Sequence, residues 1–468
     1  MEQSTGFLLI LAYFVAVFLI TRMIGRKSSS KLDYLLANRA IPGWLAAFSI
    51  AATWVWAPSM FVASEKAFTS GWVGVFWFVV PNVLTLVIFA YFATWMRKKY
   101  PDGWTFSDYI RAKYSNRTHN LYLVESFGLQ TLSLAVQLLA GATIMWKITG
   151  LPFLLTTILL AIIPLIYTFS KGLRASVITD YWQMLWIIVV LLLGLPFMFI
   201  NGGGMETLIE GLSGKAGDIT GMFNGKGLAV TLAFGIPTTI GLLSGTFGDQ
   251  MFWQRVFAIK QGQVKKAFLW AAVIFACVPI SLAIFGFFAA GKGLDIQDTQ
   301  LVNVGAVIAF TPNWFLYLFM VMILSGLIST VDSIICAVSS VTGHDLYNRI
   351  KKLDLIDEVE FAKWSMVFVT ILAILIANIP GLKILHLFLI YGTLRASVML
   401  PTAFAIKGIR MSERGLFYGL LTSMVVGLPI FAIGNFSANT VLIVTGSLFT
   451  ILASGIISIS LKDETAKV

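Results

Sequence analysis

Ser329, Asp332 and Ser333 lie in the apolar stretch Leu324-Ser325-Gly326-Leu327-Ile328-Ser329-Thr330-Val331-Asp332-Ser333. Their i, i+3, i+4 spacing places all three on one face of a helix, with Thr330 beside them. Hydroxyls and one carboxylate are hard oxygen donors suited to a small cation such as Na⁺, and no His or Cys stands next to them to favour a transition metal. The same hydroxyls could instead bond back to their own helix carbonyls, with Asp332 at an aqueous mouth. Asp180, preceded by Thr179, begins another apolar stretch and could approach Asp332 or Ser333. Arg395 sits inside Tyr391-Gly392-Thr393-Leu394-Arg395, where it needs a carboxylate or helix-end carbonyls. Glu125, Gln130 and Gln137 are further polar residues in apolar surroundings. Such residues are expensive in a membrane and are functional candidates by default. Trp54, Trp56, Phe76 and Trp77 could wall a cavity, although aromatics at this density more often pack or face lipid. Glu65-Lys66 reads as an interfacial pair.

The elements that position these residues look interrupted in two places. Pro58 falls within Ala51-Ala52-Thr53-Trp54-Val55-Trp56-Ala57-Pro58-Ser59, and Gly235-Ile236-Pro237 is followed by Gly241, Ser244-Gly245-Thr246 and Gly248. Proline removes a helical hydrogen bond and glycine weakens the helix. Carbonyls freed at membrane depth are tolerated where they line a cavity. The two interruptions fall five spans apart, an odd number, so their helices run in opposite directions. Two five-helix units, each opening with a discontinuous helix, would form an inverted repeat of the transporter kind. Ordinary kinks are the alternative, as Pro81, Pro164, Pro196, Pro279 and Pro401 illustrate.

The whole chain supports a membrane setting. Of 468 residues, 58% are hydrophobic and 12% charged, half the usual charge of soluble chains. This excludes a disordered protein and a disulfide scaffold. About 20 apolar residues span a bilayer, and thirteen stretches qualify: 6–23, 42–65, 72–96, 121–147, 152–170, 178–200, 228–248, 267–290, 313–342, 364–380, 383–405, 415–433 and 441–460. Pro380-Gly381 alone separates the tenth from the eleventh. Arg22 and Arg26 follow the first stretch, which argues against a secretory signal. Loops after the odd-numbered stretches, with the C-terminal tail, hold 26 of the 33 Lys and Arg, against six on the other side and Arg395 inside a span. The positive-inside rule then places the N-terminus outside and the C-terminus in the cytoplasm. The net charge of +11 is thus topological, and nucleic acid is not an expected partner. Cys277 and Cys336 read as small core residues, and His119, His344 and His386 form no ligand spacing in sequence. No nucleophile elbow, phosphate loop or HExxH stretch is present, so neither an enzyme nor direct ATP coupling is expected.

Three blocks resemble the sodium:solute symporter family. Asp33-Tyr34-Leu35-Leu36-Ala37-Asn38-Arg39-Ala40-Ile41-Pro42-Gly43-Trp44 is similar to its DYxLAxRxxPGW signature, Gly248-Asp249-Gln250-Met251-Phe252-Trp253-Gln254-Arg255 to its stretch after the second broken helix, and Gly326–Thr330 with Asp345-Leu346-Tyr347 to its ninth-span segment. Trp54–Ala57, Ser64–Ala67, Gly74–Trp77 and Asp102–Tyr109 resemble the urea-transporter branch. The resemblance implies an all-α integral membrane protein of about thirteen helices with a LeuT-type five-plus-five inverted repeat. The chain 1–468 then forms one transporter domain: an extra N-terminal helix and loop (1–41), repeat one (42–200), repeat two (228–406) and extra C-terminal helices (407–468). It implies a sodium site at Ala52, Val55, Gly326, Ser329 and Thr330, all neutral oxygens. A second sodium site would use Asp180, Ser329, Asp332 and Ser333, with Asp332 departing from the family's hydroxyl. Trp54 replaces a polar residue of some relatives, and the aromatic gate of sugar-transporting members maps to about Gly245. The function implied is Na⁺-coupled import of a small polar solute, urea-like, into a cell across its plasma or inner membrane. Trp54, Trp56, Ser59, Trp77, Gln137 and Thr246 are the expected solute contacts. A carboxylate or amino-acid symporter reading the anion with Arg395 or Lys66 is the alternative, and a channel-like or sensor protein ranks behind it.

Overall fold

The computed structural model of the chain describes residues 2–23, 30–216, 221–350 and 357–461. Arg26, Lys27, Lys351, Lys352, Lys462 and Lys467, all counted in the loop charge, lie outside them. Among the described residues the fold is helical throughout, apart from one isolated parallel bridge between Ile41 and Ile259. Helix α1 is Gln3–Met23, α2 Lys31–Leu36, α3 Gly43–Trp54, α4 Ala57–Lys99, α5 Phe106–Lys113, α6 Asn116–Thr149, α7 Phe153–Lys171, α8 Leu173–Gly202 and α9 Gly204–Gly211. Next come α10 Gly225–Val230, α11 Ile236–Gly248, α12 Gln250–Ala258, α13 Val264–Gly291, α14 Val302–Phe310, α15 Asn313–Ser340 and α16 Tyr347–Ile350. The chain ends with α17 Glu358–Ala377, α18 Ile384–Lys407, α19 Glu413–Thr422, α20 Leu428–Phe436 and α21 Thr440–Ser460. Local chemistry sets many of these ends. Ser30, Thr105, Ser115 and Ser412 each accept a backbone N–H three residues on, and Gly150 and Gly408 close α6 and α18 in the left-handed conformation.

Among the described residues, twelve helices are long and apolar enough to cross a membrane. The expected stretch 42–65 is not one continuous helix. It is cut by the non-helical Val55–Trp56 step, leaving a 12-residue α3, and its second half runs into the next stretch as one 43-residue α4. Helix α4 turns within itself at Gly71, whose φ of 61° suits glycine, and a Cβ there would overlap the Leu212 carbonyl.

The second interruption lies elsewhere than Gly235-Ile236-Pro237. A π turn over Thr231–Gly235 carries the helix through Pro237, which sits in the first turn of α11 where its missing N–H is harmless. The break comes at Asp249, which is extended (φ −101°, ψ 117°) between α11 and α12. The π turn at Val341–Leu346 likewise joins α15 to α16. Helix α15 is buried almost from end to end and is the central element of the bundle, touching α3, α6, α7, α8, α12 and α17. Cys336 on α15 is buried, but Cys277 on α13 is exposed and is therefore no core residue.

Candidate functional site

The α3–α4 break is built by hydrogen-bond exchange. Val55 and Trp56 leave helical geometry, with ψ of 66° and 174°. Past them, the Ala57 N–H is taken by Gln137 Oε1 at 2.8 Å, and the Ser59 N–H by the Trp56 carbonyl at 3.0 Å. The Val55 carbonyl is thereby denied its usual i+4 donor. It points across to α15, 3.2 Å from the position a Gly326 Cβ would occupy. Only glycine lets main chain approach main chain this closely. One turn further along α15, Thr330 Oγ1 donates to the Gly326 and Thr53 carbonyls, both at 3.2 Å. The Ala52 carbonyl still accepts the Val55 N–H at 3.1 Å. Ala52, Val55, Gly326, Ser329 and Thr330 are all fully or almost fully buried around this junction.

Ser329 also belongs to a charged cluster beside the junction. It donates to Asp180 Oδ1 at 2.5 Å. Asp180 Oδ2 accepts from Ser49 at 2.6 Å and from Arg255 Nη2 at 2.9 Å. Arg255 extends the same nitrogen to Ser333 Oγ at 2.6 Å, its Nε to Ser49 and its Nη1 to the Met251 carbonyl. Asp332 lies beyond Ser333 and is fully buried. Its carboxylate accepts from Tyr167 at 2.5 Å, Ser176 at 2.6 Å and Thr179 at 3.2 Å, and Ser333 Oγ stands 3.2 Å away. Arg255 thus pairs with Asp180 and not with Asp332, which is held by hydroxyls. The expected approach of Asp180 to Ser333 runs through Arg255, while the neighbouring Thr179 reaches Asp332. That arginine was counted as a basic loop residue; it is instead buried within α12 at 1% exposure.

A second buried cluster surrounds the Asp249 break. Arg395 Nη2 donates to Asp249 Oδ2 at 2.6 Å, and Gln130 donates to Asp249 Oδ1 at 2.9 Å. The Asp249 side chain also caps α12 at Met251 N. Arg395 lies over the rings of Tyr391 and Trp56, at 4.4 and 5.4 Å from their centroids. Trp56 stacks on Trp54, whose N–H goes to the Asn82 carbonyl and whose ring leans on Gly245. The Trp54 ring therefore occupies the space over Gly245. Around this cluster and the α3–α4 break, Trp56 Nε1, Gln137 Nε2, Tyr391 OH and Arg395 Nε and Nη1 are buried without partners. Glu125 Oε1 is also unpartnered and lines a cavity of about 20 Å³ with Ser107, Tyr122 and Gln250.

Of the expected solute contacts, Trp54, Trp56 and Gln137 meet around the α3–α4 break. Ser59 packs just beyond it, 3.5 Å from the Trp54 carbonyl. Thr246 pairs with Thr85 at 3.3 Å, and Trp77 donates to Thr231 at the π turn. Glu65 and Lys66 do not pair with each other: Glu65 meets Thr299, and Lys66 lies over Phe234. The contributions of Arg255, Asp249 and Tyr391 were not foreseen.

Outside the spans, Arg39 grips the α4–α5 connection and α12, donating to the Asp102, Gly103 and Phe257 carbonyls. Burial, with Arg97 nearby, pushes Arg39 down to about 10, so it stays charged at neutral pH. The Ile41 N–H bonds the Ala258 carbonyl, and the Lys260 N–H bonds the Ile41 carbonyl. The entry to α3 and the exit of α12 are thus clipped together.

A discontinuous helix whose freed carbonyl faces a buried neighbouring helix, within a multi-spanning bundle, is the architecture of secondary transporters. Residues 34–423 match the model of the sodium:solute symporter family, and the chain belongs to that family. It is 22% identical to the urea-proton symporter DUR3 of Oryza sativa subsp. japonica over 92% of this chain and 65% of that protein. It is 26% identical to the sodium/pantothenate symporter of Haemophilus influenzae over 85% of this chain and 82% of that protein. The chain spans about half to two thirds of the length of the urea-transporter relatives it matches. The fold is that of a solved Na⁺-coupled sialic acid symporter in a substrate-bound outward-open state, with a TM-score of 0.79 and 17% identity over 97% of both chains.

Proposed function

We propose that the chain is a Na⁺-coupled symporter importing a small, neutral, planar solute of the urea kind. The observation that carries this reading is the Val55 carbonyl, deprived of its helical donor and aimed at Gly326 one turn from Thr330. A cation bridging the two helices would organise the cavity beside them. Coupling is reciprocal, so Na⁺ and solute each tighten the other's binding by the same factor. The membrane potential adds about 2.3 kcal/mol per charge per 100 mV. Asp180, Asp332 and Ser333 are the proposed second cation position.

The unpartnered groups support a neutral solute. Trp56 Nε1, Gln137 Nε2 and the free Arg395 nitrogens are donors, and Tyr391 can be one. They call for an acceptor such as a carbonyl oxygen, with indole and phenol faces for a planar body. The charge of Arg395 is already matched by Asp249 at 2.6 Å, which disfavours a carboxylate. The names of the urea-transporting relatives point the same way. We place the Lys- and Arg-rich loops and the C-terminus in the cytoplasm, the N-terminus outside, and the repeats at 42–200 and 228–406.

Coupling to protons is a second reading. Asp332 is buried with only neutral donors, because Arg255 is committed to Asp180 and Ser333, and the rice relative is named a proton symporter. Uptake of labelled urea into proteoliposomes, driven by a Na⁺ gradient or by a pH gradient in choline, separates the two. Uptake that needs neither gradient, or no uptake at all, refutes the urea symporter.

A further inference from the structure

His344 and His119, scattered in sequence, each stand beside a buried aspartate at one place in the fold. The end of α15, the start of α6 and the first turn of α5 converge on the Lys- and Arg-rich face, bringing together His344, Asp345, His119 and Asp108. We propose that His344, Asp345 and Asp108 form a binding site for one divalent transition-metal ion of the zinc class, with His119 standing against Asp345. Donor atoms of Asp108, His344 and Asp345 all lie within 4.8 Å of one another. His344 Nε2 stands 3.4 Å from Asp108 Oδ2, and His119 Nε2 stands 3.7 Å from Asp345 Oδ1. The second separation is too long for a hydrogen bond, and neither pair qualifies as one. The first separation matches the edge of about 3.4 Å that bonds of 2.0–2.2 Å give a zinc tetrahedron. All four imidazole nitrogens and Asp345 Oδ1 are buried without a hydrogen-bond partner, and His119 is completely buried.

The surroundings hold the donors as a metal site requires. Asp345 Oδ2 accepts from Thr105 at 2.6 Å and Ser107 at 2.7 Å, leaving Oδ1 free to face His119. Asp108 accepts from Tyr100 at 2.8 Å and, on its other oxygen, from Arg111 at 3.0 Å. Burial pushes the Asp108 carboxyl up, but His344, Tyr100 and Arg111 outweigh it and hold the group below the usual carboxylate range. The Trp104 ring stacks on His344 at 5.0 Å and 11°. Two carboxylates balance a doubly charged ion, and an imidazole ligand favours a transition metal over Mg²⁺ or Ca²⁺. Such an ion would tie α5 to the end of the helix that carries Ser329 and Thr330.

The test uses full-length protein without a histidine tag, freed of metal by a chelator and titrated with ZnCl₂ by calorimetry. One ion per chain is expected, with His344→Ala weakening binding at least about tenfold. His386→Ala, on a distant loop-side helix end, should leave binding unchanged. Ser107→Ala keeps every ligand and should weaken binding about tenfold by releasing Asp345; it serves if a histidine variant does not fold. Absence of saturable binding overturns the proposal, as does binding undiminished in the folded variants or lost equally in His386→Ala.

Discussion

Gly326→Ala tests the α3–α15 junction most directly. The added methyl would meet two neighbours of different kinds. One is the terminal methyl of Met60, the far end of a flexible side chain that can swing away. The other is the Val55 carbonyl at 3.2 Å, which is main chain and must retreat by a few tenths of an ångström. Overpacking of this sort costs about 1–3 kcal/mol in total. The Met60 share falls on the fold whatever ions are present. The Val55 share falls on the state in which that carbonyl holds the cation. If about 1.4 kcal/mol belongs to Val55, the Na⁺ concentration for half-maximal uptake rises about tenfold. Adding Met60→Ala removes the first clash and leaves the second. The double variant should regain thermal stability yet keep the weakened Na⁺ dependence, read from uptake titrations and melting curves on the same preparations. An unchanged Na⁺ requirement in Gly326→Ala refutes the role given to Val55. A requirement restored together with stability by Met60→Ala shows that the effect was packing alone.

Other outcomes follow from the same geometry. Thr330→Ala removes the hydroxyl that bridges Thr53 and Gly326, and should raise half-saturating Na⁺ while thermal stability falls by no more than about 1.5 kcal/mol. Arg255→Met strands Asp180 in a buried site, and loss of one partner of such a pair costs about 3–5 kcal/mol; a melting temperature equal to that of the parent would contradict the described network. Lysine should not rescue that variant, because the guanidinium reaches Ser49, Met251, Asp180 and Ser333 with three separate nitrogens. Gln137→Ala frees the Ala57 N–H and removes a proposed solute donor, so apparent affinity for urea should drop by about tenfold or more; unchanged affinity would remove Gln137 from the cavity.

The sequence made some of this plain and hid the rest for physical reasons. Pro58 within an apolar run marks the α3–α4 break, because proline at that depth has few harmless positions. The face shared by Ser329, Asp332 and Ser333 is readable because helical spacing is local. Pro237 misleads, since a π turn absorbs it and the real break needs only one extended residue, Asp249. Asp249 itself looks interfacial until its partner Arg395, far along the chain, is placed beside it. Arg255 follows an apolar stretch and so resembles an inside-facing loop charge. Its burial depends on Asp180, which lies on another helix. The grouping of Asp108, His119, His344 and Asp345 is equally invisible, since its members come from three segments with no shared spacing.

The clip between Ile41, Ala258 and Lys260 has a consequence for how this scaffold can diversify. It is made of main-chain bonds alone, so it holds the two interrupted helices together without regard to side-chain identity. Residues along those helices that read the solute can therefore change without loosening the joint on which the helices turn. Selectivity and mechanics are separable in such a design, which allows one mechanical frame to serve many cargoes.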